Sequence, residues 1–266
     1  MLREITIGQY YPTDSVIHKL DPRVKLFATL IFLITLFSCS NVVLFIMQTA
    51  AIVASITLSR IPAKYMIKGL RGVIVLIIVC GLFNLLLTPG NPIFQWSFIK
   101  ITDTGIKSAV LMTFRMVFLI VGTSIMTLAT TPNQLTDGLE KSLHFLTVIG
   151  IPVHEISMMM SIALRFIPIL IEETDKIMKA QMARGADFET GGIIKKAKAM
   201  IPLLVPLFVS AFRRANDLAL AMEARCYNGG DGRTKMKPLK YNDTDKKAYL
   251  IIFAYIVIFY IVKALL

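Results

Sequence analysis

The sequence predicts an all-α, polytopic membrane protein with about five transmembrane helices and long helices on the cytoplasmic side. Hydrophobic residues make up 55% of the 266 residues and the mean hydropathy is +0.67, above the apolar share of roughly 45–50% in soluble domains. The apolar residues are gathered into weakly charged runs, several of about 20 residues, the length that crosses a bilayer core. A long polar stretch with helical patterning separates the last two runs.

Five apolar runs are the predicted spans. They cover residues 24–40, 42–58, 72–87, 106–129 and 248–266. The polar cluster Ser38, Ser40 and Asn41 favours a tight hairpin between the first two runs. One long, interrupted helix is the alternative, because each run has the minimum length for a span. The chain therefore divides into a membrane region with four spans at 1–130, a polar region at 131–247 and a last span at 248–266.

The distribution of positive charge predicts the orientation. The chain carries 29 lysine and arginine residues and a net charge of +12, and most of these residues lie before the third run or within 131–247. Cytoplasmic loops of membrane proteins are enriched in lysine and arginine. We therefore expect a cytoplasmic N-terminus and an external C-terminus. The same rule explains the charge without nucleic acid, so membrane lipid is the expected partner and nucleic acid is not.

The polar region 131–247 is too long for a loop and has helical periodicity. A short amphipathic helix is predicted at 134–146, followed by two long helices at 153–183 and 193–224. Each long helix is apolar in its first part and charged in its second. We expect these helices to extend from the membrane toward the cytoplasm.

The two long helices end alike. Their last residues and first turn residues are Ala183, Arg184 and Gly185 in one helix and Ala224, Arg225 and Cys226 in the other. The arginines are 41 residues apart, and the same offset relates two acidic residues to two basic ones. These four residues are candidates for ion pairs between the helices: Glu172, Glu173, Arg213 and Arg214.

Arg115 interrupts the fourth run. A charged side chain is costly in lipid, so we expect Arg115 to face protein, water or the interface and to contact a partner protein or a backbone carbonyl. Structural packing is favoured over a role in transport.

No residue is assigned to catalysis, to a cofactor or to a metal. The chain has no GxxxxGK[ST] motif for binding nucleotide phosphates, and its three cysteines and three histidines are scattered. An intramembrane enzyme acting on lipid or prenyl substrates is one alternative function, but Asp21, Asp137 and Asp187 are too dispersed to form its metal site. A stand-alone carrier or channel is another, and it would need polar residues or broken repeats lining the spans.

The paired helix endings carry a family resemblance. Together with the segment Leu20-Asp21-Pro22-Arg23-Val24-Lys25 and the prolines at 168, 202 and 206, they resemble the T components (EcfT, CbiQ-like) of energy-coupling factor (ECF) transporters, which are ABC transporters. The resemblance covers essentially the whole chain. Cys226 departs from the family, which often has glycine there. The geometry of that turn is therefore open, with Gly229 and Gly230 as an alternative source of flexibility.

The resemblance implies a subunit in a prokaryotic cell membrane that is not catalytic alone. Arg184 and Arg225 would each dock on one of two cytoplasmic ABC-type ATPases, which use ATP and Mg²⁺, while this chain binds no cofactor. A separate membrane protein, the S component, would capture the substrate. The transported vitamin or metal stays open, and the lack of histidine-rich segments favours a module shared among S components.

Overall fold

The computed structural model describes residues 10–96, 99–188, 192–230, 236 and 238–265, and it confirms the all-α fold class. The helices are α1 Val16–Lys19, α2 Pro22–Phe37, α3 Val42–Ser59, α4 Ala63–Arg71, α5 Ile74–Leu87, α6 Asp103–Ala129, α7 Pro132–Ser142, α8 Val153–Ala183, α9 Ile193–Glu223 and α10 Asp243–Leu265, with a 3₁₀-helix at His144–Ile149. An antiparallel hairpin, β1 Pro92–Trp96 and β2 Ile99–Thr102, lies between α5 and α6 and was not predicted.

The first two apolar runs form two helices, α2 and α3. Asn41 precedes α3 in an extended conformation. The amide of Gln48 donates a hydrogen bond of 2.8 Å to the hydroxyl of Thr35. In one straight helix these residues would be about 20 Å apart. The chain therefore reverses direction between Phe37 and Val42, which decides between the two alternatives in favour of the hairpin.

The third run differs from the prediction of a simple helix over 72–87. α4 is amphipathic and basic, and the axis bends by 63° between Lys64–Arg71 and Ile74–Leu87. Pro62 lies immediately before α4, and Gly72 and Val73 separate α4 from α5. The apolar part of this run is therefore limited to the 14 residues of α5.

Among the residues that the structure describes, four helices are long and apolar enough to cross a membrane, namely α3, α6, α8 and α10, and the bent pair α4–α5 makes a fifth if it is one span. This agrees with a polytopic membrane protein with about five spans, although the members of the set differ. α2 has 16 residues and falls short. α8, which the sequence placed in the cytoplasm, meets the requirement because its first half is apolar.

The first of two compact units comprises residues 8–138 and 239–266. α6 is its central helix and contacts α2, α3, α4 and α5, while α10 packs against α2 and α3. Phe118, Val121, Ile125 and Leu128 of α6 are buried and lie on one face of the helix. At Gly122 a Cβ atom would clash with the ring of Phe32, so α2 and α6 approach closely there.

Most apolar side chains of this unit are not buried within the chain. In the apolar part of α10 only 6% of the residues are buried, and in that of α6 17%. Val75, Leu250 and Ile251 are each at least 68% exposed. Such helices satisfy their backbone groups internally and leave apolar surface for lipid or partner helices.

The second unit comprises residues 139–238, and its main elements are α8 and α9, which contact each other. Their bounds lie within one residue of the prediction, because strong periodicity and clear terminal signals marked both helices. Each has 31 residues, or about 46 Å at 1.5 Å per residue. Pro168 lies inside α8, and Pro202 and Pro206 inside α9.

Candidate functional site

The end of α8 carries the first arginine motif. The N–H of Gly185 donates to the carbonyl of Met182, and the N–H of Ala186 donates to that of Gln181, both at 3.0 Å. Gly185 has φ +88°. These two bonds with a left-handed residue are the Schellman motif, which closes a helix by pairing its last carbonyls. Arg184 is therefore the capping residue of α8, and its side chain is exposed.

The end of α9 repeats this geometry. The N–H of Cys226 donates to the carbonyl of Glu223 at 2.8 Å, and the N–H of Tyr227 donates to that of Met222 at 3.0 Å. Cys226 itself takes the left-handed conformation, with φ +55°, so the reversal does not depend on Gly229 or Gly230. Arg225 thus occupies the position that Arg184 occupies in α8, and it too is exposed.

The chemistry of these ends is that of a projecting cation. Ala183 and Ala224 are small and exposed, so they leave access to the guanidinium beside them. An arginine presents five N–H donors in a planar fork that pairs bidentately with carboxylates. It also complements the negative end of the helix dipole, the simplest role for a single such residue. The two long helices thus end in equivalent turns, each of which presents one exposed arginine.

An ion pair links α8 and α9. Arg214 Nη2 donates to Glu173 Oε2 at 3.0 Å, and the two side chains are 37% and 25% exposed. The other two candidates, Glu172 and Arg213, are exposed and make no ion pair with the residues that the structure describes. Arg184 lies 11 residues beyond Glu173, and Arg225 lies 11 beyond Arg214. Each of the two arginines is therefore about 16 Å along its helix from this ion pair.

A cavity of about 280 Å³ adjoins the pair. α8 contributes Ile162, Phe166 and Leu170, and α9 contributes the small residues Ala211, Ala215 and Ala219. Small residues spaced four apart let helices approach closely. The space is a groove that is partly open to the surroundings, so the two helices are not tightly packed along this stretch.

Arg115 lies in α6, and its Nη2 donates to the backbone carbonyl of Cys39 at 2.8 Å. The sequence predicted that Arg115 would contact either a partner protein or a backbone carbonyl, and the structure shows a backbone carbonyl. Cys39 follows the end of α2, where carbonyls lack partners within the helix. The guanidinium thus supplies a donor to a carbonyl just beyond the end of α2, as expected of a charged side chain at membrane depth, which pairs with protein groups.

Sequence reasoning missed a buried acidic residue at the start of α10. Asp245 is 1% exposed, and its carboxylate accepts from the N–H of Asp21 at 2.9 Å and from the N–H of Asn242 at 2.7 Å. Asp21 pairs with Arg23 at 2.9 Å, and the Arg23 guanidinium lies 3.8 Å from the ring centre of Tyr241. The sequence Asn242-Asp-Thr-Asp245 before an apolar run is a helix-start signal, and it is the signal by which this cluster could have been found.

A second polar cluster fixes the start of α8. His154 Nδ1 lies 3.0 Å from Glu140 Oε1, and the Ser157 hydroxyl donates to Glu140 Oε2 at 2.8 Å. A Cβ atom at Gly230 would clash with the His154 ring, so the segment after the second arginine motif lies against α8. Among the described residues no three His, Cys, Asp or Glu side chains form a group that would hold a metal ion.

Comparison with known proteins places these features in a family. The CbiQ family model, described as cobalt transport protein, matches residues 13–236. A protein of Clostridium kluyveri named energy-coupling factor transporter transmembrane protein EcfT is 52% identical over 92% of both chains. Proteins of the same name from Thermosediminibacter oceani and Bacillus subtilis are 49% and 45% identical, over 94% and 97% of this chain and 94% and 99% of their own.

These matches include α8, α9 and both arginine-capped ends, and the level of identity extends over nearly the whole chain. The chain therefore belongs to the CbiQ family, as one of the energy-coupling factor transporter transmembrane proteins, EcfT.

Proposed function

We propose that this chain couples two cytoplasmic ABC-type ATPases to a substrate-binding S component in the membrane, for ATP-driven uptake of a vitamin or another micronutrient. The observation that carries the proposal is the pair of identical arginine caps on α8 and α9. Each cap has the same two hydrogen bonds and the same left-handed third residue. Two equivalent anchors suit two equivalent partner subunits.

Each arginine would dock in a groove of one ATPase. Because the side chains of Arg184 and Arg225 are exposed at helix ends, an acidic or carbonyl-lined groove can receive the guanidinium without moving the helix. ATP and Mg²⁺ would be bound and used by the ATPases, and this chain would bind no cofactor. The chain alone would not be catalytic.

Motion would pass along the two helices. Closing of the ATPase pair on ATP would displace the two helix ends relative to each other. The Glu173–Arg214 pair lies equally far from both ends, so the helix contact there can act as the pivot of two arms of about 16 Å. The unfilled space beside the pair accommodates small sliding of packed helices, a common form of domain movement.

The orientation and remaining partners complete the proposal. The N-terminus would be cytoplasmic and the C-terminus external, since lysine and arginine concentrate on the side of α8 and α9. The S component would select the substrate. Exposed apolar side chains such as Ile167 of α8 and Phe208 of α9 offer a surface for it, and different S components would share this module.

The test is co-purification of the tagged full-length chain with co-expressed ATPases in mild detergent. We expect Arg184→Glu and Arg225→Glu each to weaken recovery of the ATPases, and the double variant to reduce it more than about tenfold, as for a central interface arginine. Arg184→Lys with Arg225→Lys should recover only part of the binding, because lysine lacks the bidentate fork.

Two variants serve as matched controls. Lys176→Glu in α8 and Lys198→Glu in α9 make the same charge change at exposed positions away from the caps, and they should leave recovery unchanged. If the ATPases bind the double glutamate variant as well as the wild type, or if the controls reduce binding equally, the arginines are not the anchors.

A further inference from the structure

The first compact unit contains a cavity of about 450 Å³ at the end of the helix bundle where α2 and α10 begin and α3 and α6 end. We call it the inner cavity. Its walls are mostly apolar and include Val24, Phe32, Ile52, Ile125, Ala248 and Ile252. This volume lies within the range of roughly 300–1,000 Å³ that is usual for sites of small ligands.

The inner cavity is open at its edge. Val16, Leu58 and Ile251 line it and are 57%, 52% and 68% exposed. The opening is therefore bordered by apolar side chains. In a membrane such an opening admits hydrocarbon chains and disfavours water.

Two lysines also line the inner cavity, and one of them is buried. Lys25 is 5% exposed, and its ammonium donates to the carbonyls of His18 at 3.1 Å and of Ala129 at 2.8 Å. An ammonium has three N–H donors, and these two carbonyls accept from two of them. The carboxylates of Asp21 and Asp245 are near enough to favour its charge, but neither forms an ion pair with it, and no other described carboxylate does; Asp21 pairs with Arg23 and Asp245 accepts from backbone N–H groups. Lys247 adds an exposed cation beside the same cavity.

A buried cation without a paired anion is costly, and an anion entering the cavity would remove that cost. We propose that the inner cavity binds one anionic phospholipid. Its acyl chain fills the apolar part, and its phosphate neutralises Lys25 and Lys247. In the orientation proposed above, the site lies in the cytoplasmic leaflet, whose surface is negatively charged. An apolar helix of a partner protein or of a second copy of the chain would pack against the same apolar side chains, but it would leave Lys25 without an anion.

The experiment is native mass spectrometry of the full-length chain in mild detergent, with phosphatidylglycerol and phosphatidylcholine of identical acyl chains as competing probes. We expect the wild type to retain one phosphatidylglycerol in preference to phosphatidylcholine. Lys247→Gln should lower its occupancy about fivefold, the effect of one lysine near an anionic headgroup. Ala248→Phe, which fills the cavity, should abolish it.

Each variant has a matched control. Lys246→Gln removes the neighbouring exposed cation, which pairs with Asp243 at 3.1 Å and does not line the cavity, and it should retain the lipid. Ala254→Phe adds the same bulk at an exposed position of α10 outside the cavity, and it should retain the lipid too.

Three results would overturn the proposal. Equal retention of the two lipids would show that the site does not recognise an anionic headgroup. Equal losses of phosphatidylglycerol in Lys247→Gln and Lys246→Gln would show that Lys247 has no specific role in binding it. Retention of phosphatidylglycerol by Ala248→Phe would show that the lipid binds elsewhere, and loss of a dimer in the same variant would make the cavity a contact between two copies of the chain. The assay contains no ATPase, so its outcome is independent of the arginine anchors.

Discussion

Cys226 takes the left-handed backbone conformation that Gly185 takes at the equivalent place. A side chain with a Cβ atom pays roughly 1–2 kcal/mol for this conformation, whereas glycine adopts it freely. We therefore expect Cys226→Gly to raise the free energy of unfolding by about 1 kcal/mol and to keep the cap. Gly185→Ala should lower it by a similar amount.

The thermal midpoint of the purified chain in detergent measures both changes. A midpoint that falls in Cys226→Gly would contradict the strain argument and would assign the cysteine a contact of its own.

Asp245 allows a second test with single residues. Asp245→Asn replaces one of two accepting oxygens by a donor, so one buried N–H, of Asp21 or Asn242, loses its acceptor. We expect a loss of about 1–3 kcal/mol of stability, seen as a lower unfolding midpoint. Asp243→Asn changes the charge two residues away at an exposed site and should shift stability by less than about 0.5 kcal/mol. Equal losses of stability in the two variants would show that the hydrogen bonds of the buried carboxylate do not hold the start of α10 in place.

At the scale of elements, the contact between α8 and α9 rests on one partly exposed ion pair beside a cavity. Reversing one charge, as in Glu173→Arg or Arg214→Glu, brings like charges together and should loosen the helices, while the double reversal should restore the contact. We expect a coupling energy of about 0.5–1 kcal/mol for so exposed a pair.

A disulfide cross-link between cysteines placed on either side of the 280 Å³ cavity, such as Ile162→Cys with Met222→Cys, would report the change. Because the contact loosens, the rate of disulfide formation should fall in both single variants and recover in the double variant. If the double variant stays as altered as the single variants, the pair does not align the two helices.

Sequence patterns predicted the long helices best. α8 and α9 have sustained apolar periodicity and a clear stop at the arginine motifs, so their bounds were predicted to within a residue. The hairpin β1–β2 was missed because its strands have five and four residues and little alternation to read. The bend between α4 and α5 lies at Gly72 and Val73, and apolar periodicity alone does not reveal it.

At the scale of the molecule, the distribution of positive charge predicts which surfaces face the cytoplasm. In a variant with all three natural cysteines replaced, a single cysteine at Asn91 should react with a membrane-impermeant thiol reagent in intact cells. A cysteine at Asn228 should react only in inverted vesicles. The reverse pattern would invert the proposed orientation and would place α8 and α9 outside the cell, away from any ATPase.

The candidate site was predicted from sequence as far as its residues are contiguous along the chain. The two arginine motifs were found because each is a local signal, repeated 41 residues later. Which of the four charged candidates on the two helices would pair depended on the rotation of each helix about its axis, and the structure brings together Glu173 and Arg214. The inner cavity joins residues from 16 to 252 and has no local signature at all.

The sparse burial of α10 has a consequence for how its sequence varies. Lipid accepts any apolar side chain, so a scan of all substitutions along residues 243–262 should find leucine, isoleucine, valine and phenylalanine interchangeable on the outer face from residue 250 onward. Within the first turn the same scan should find Asp245 irreplaceable. In this helix residue identity matters at the entry and at the fully buried Phe259, whereas on the outer face only apolar composition matters.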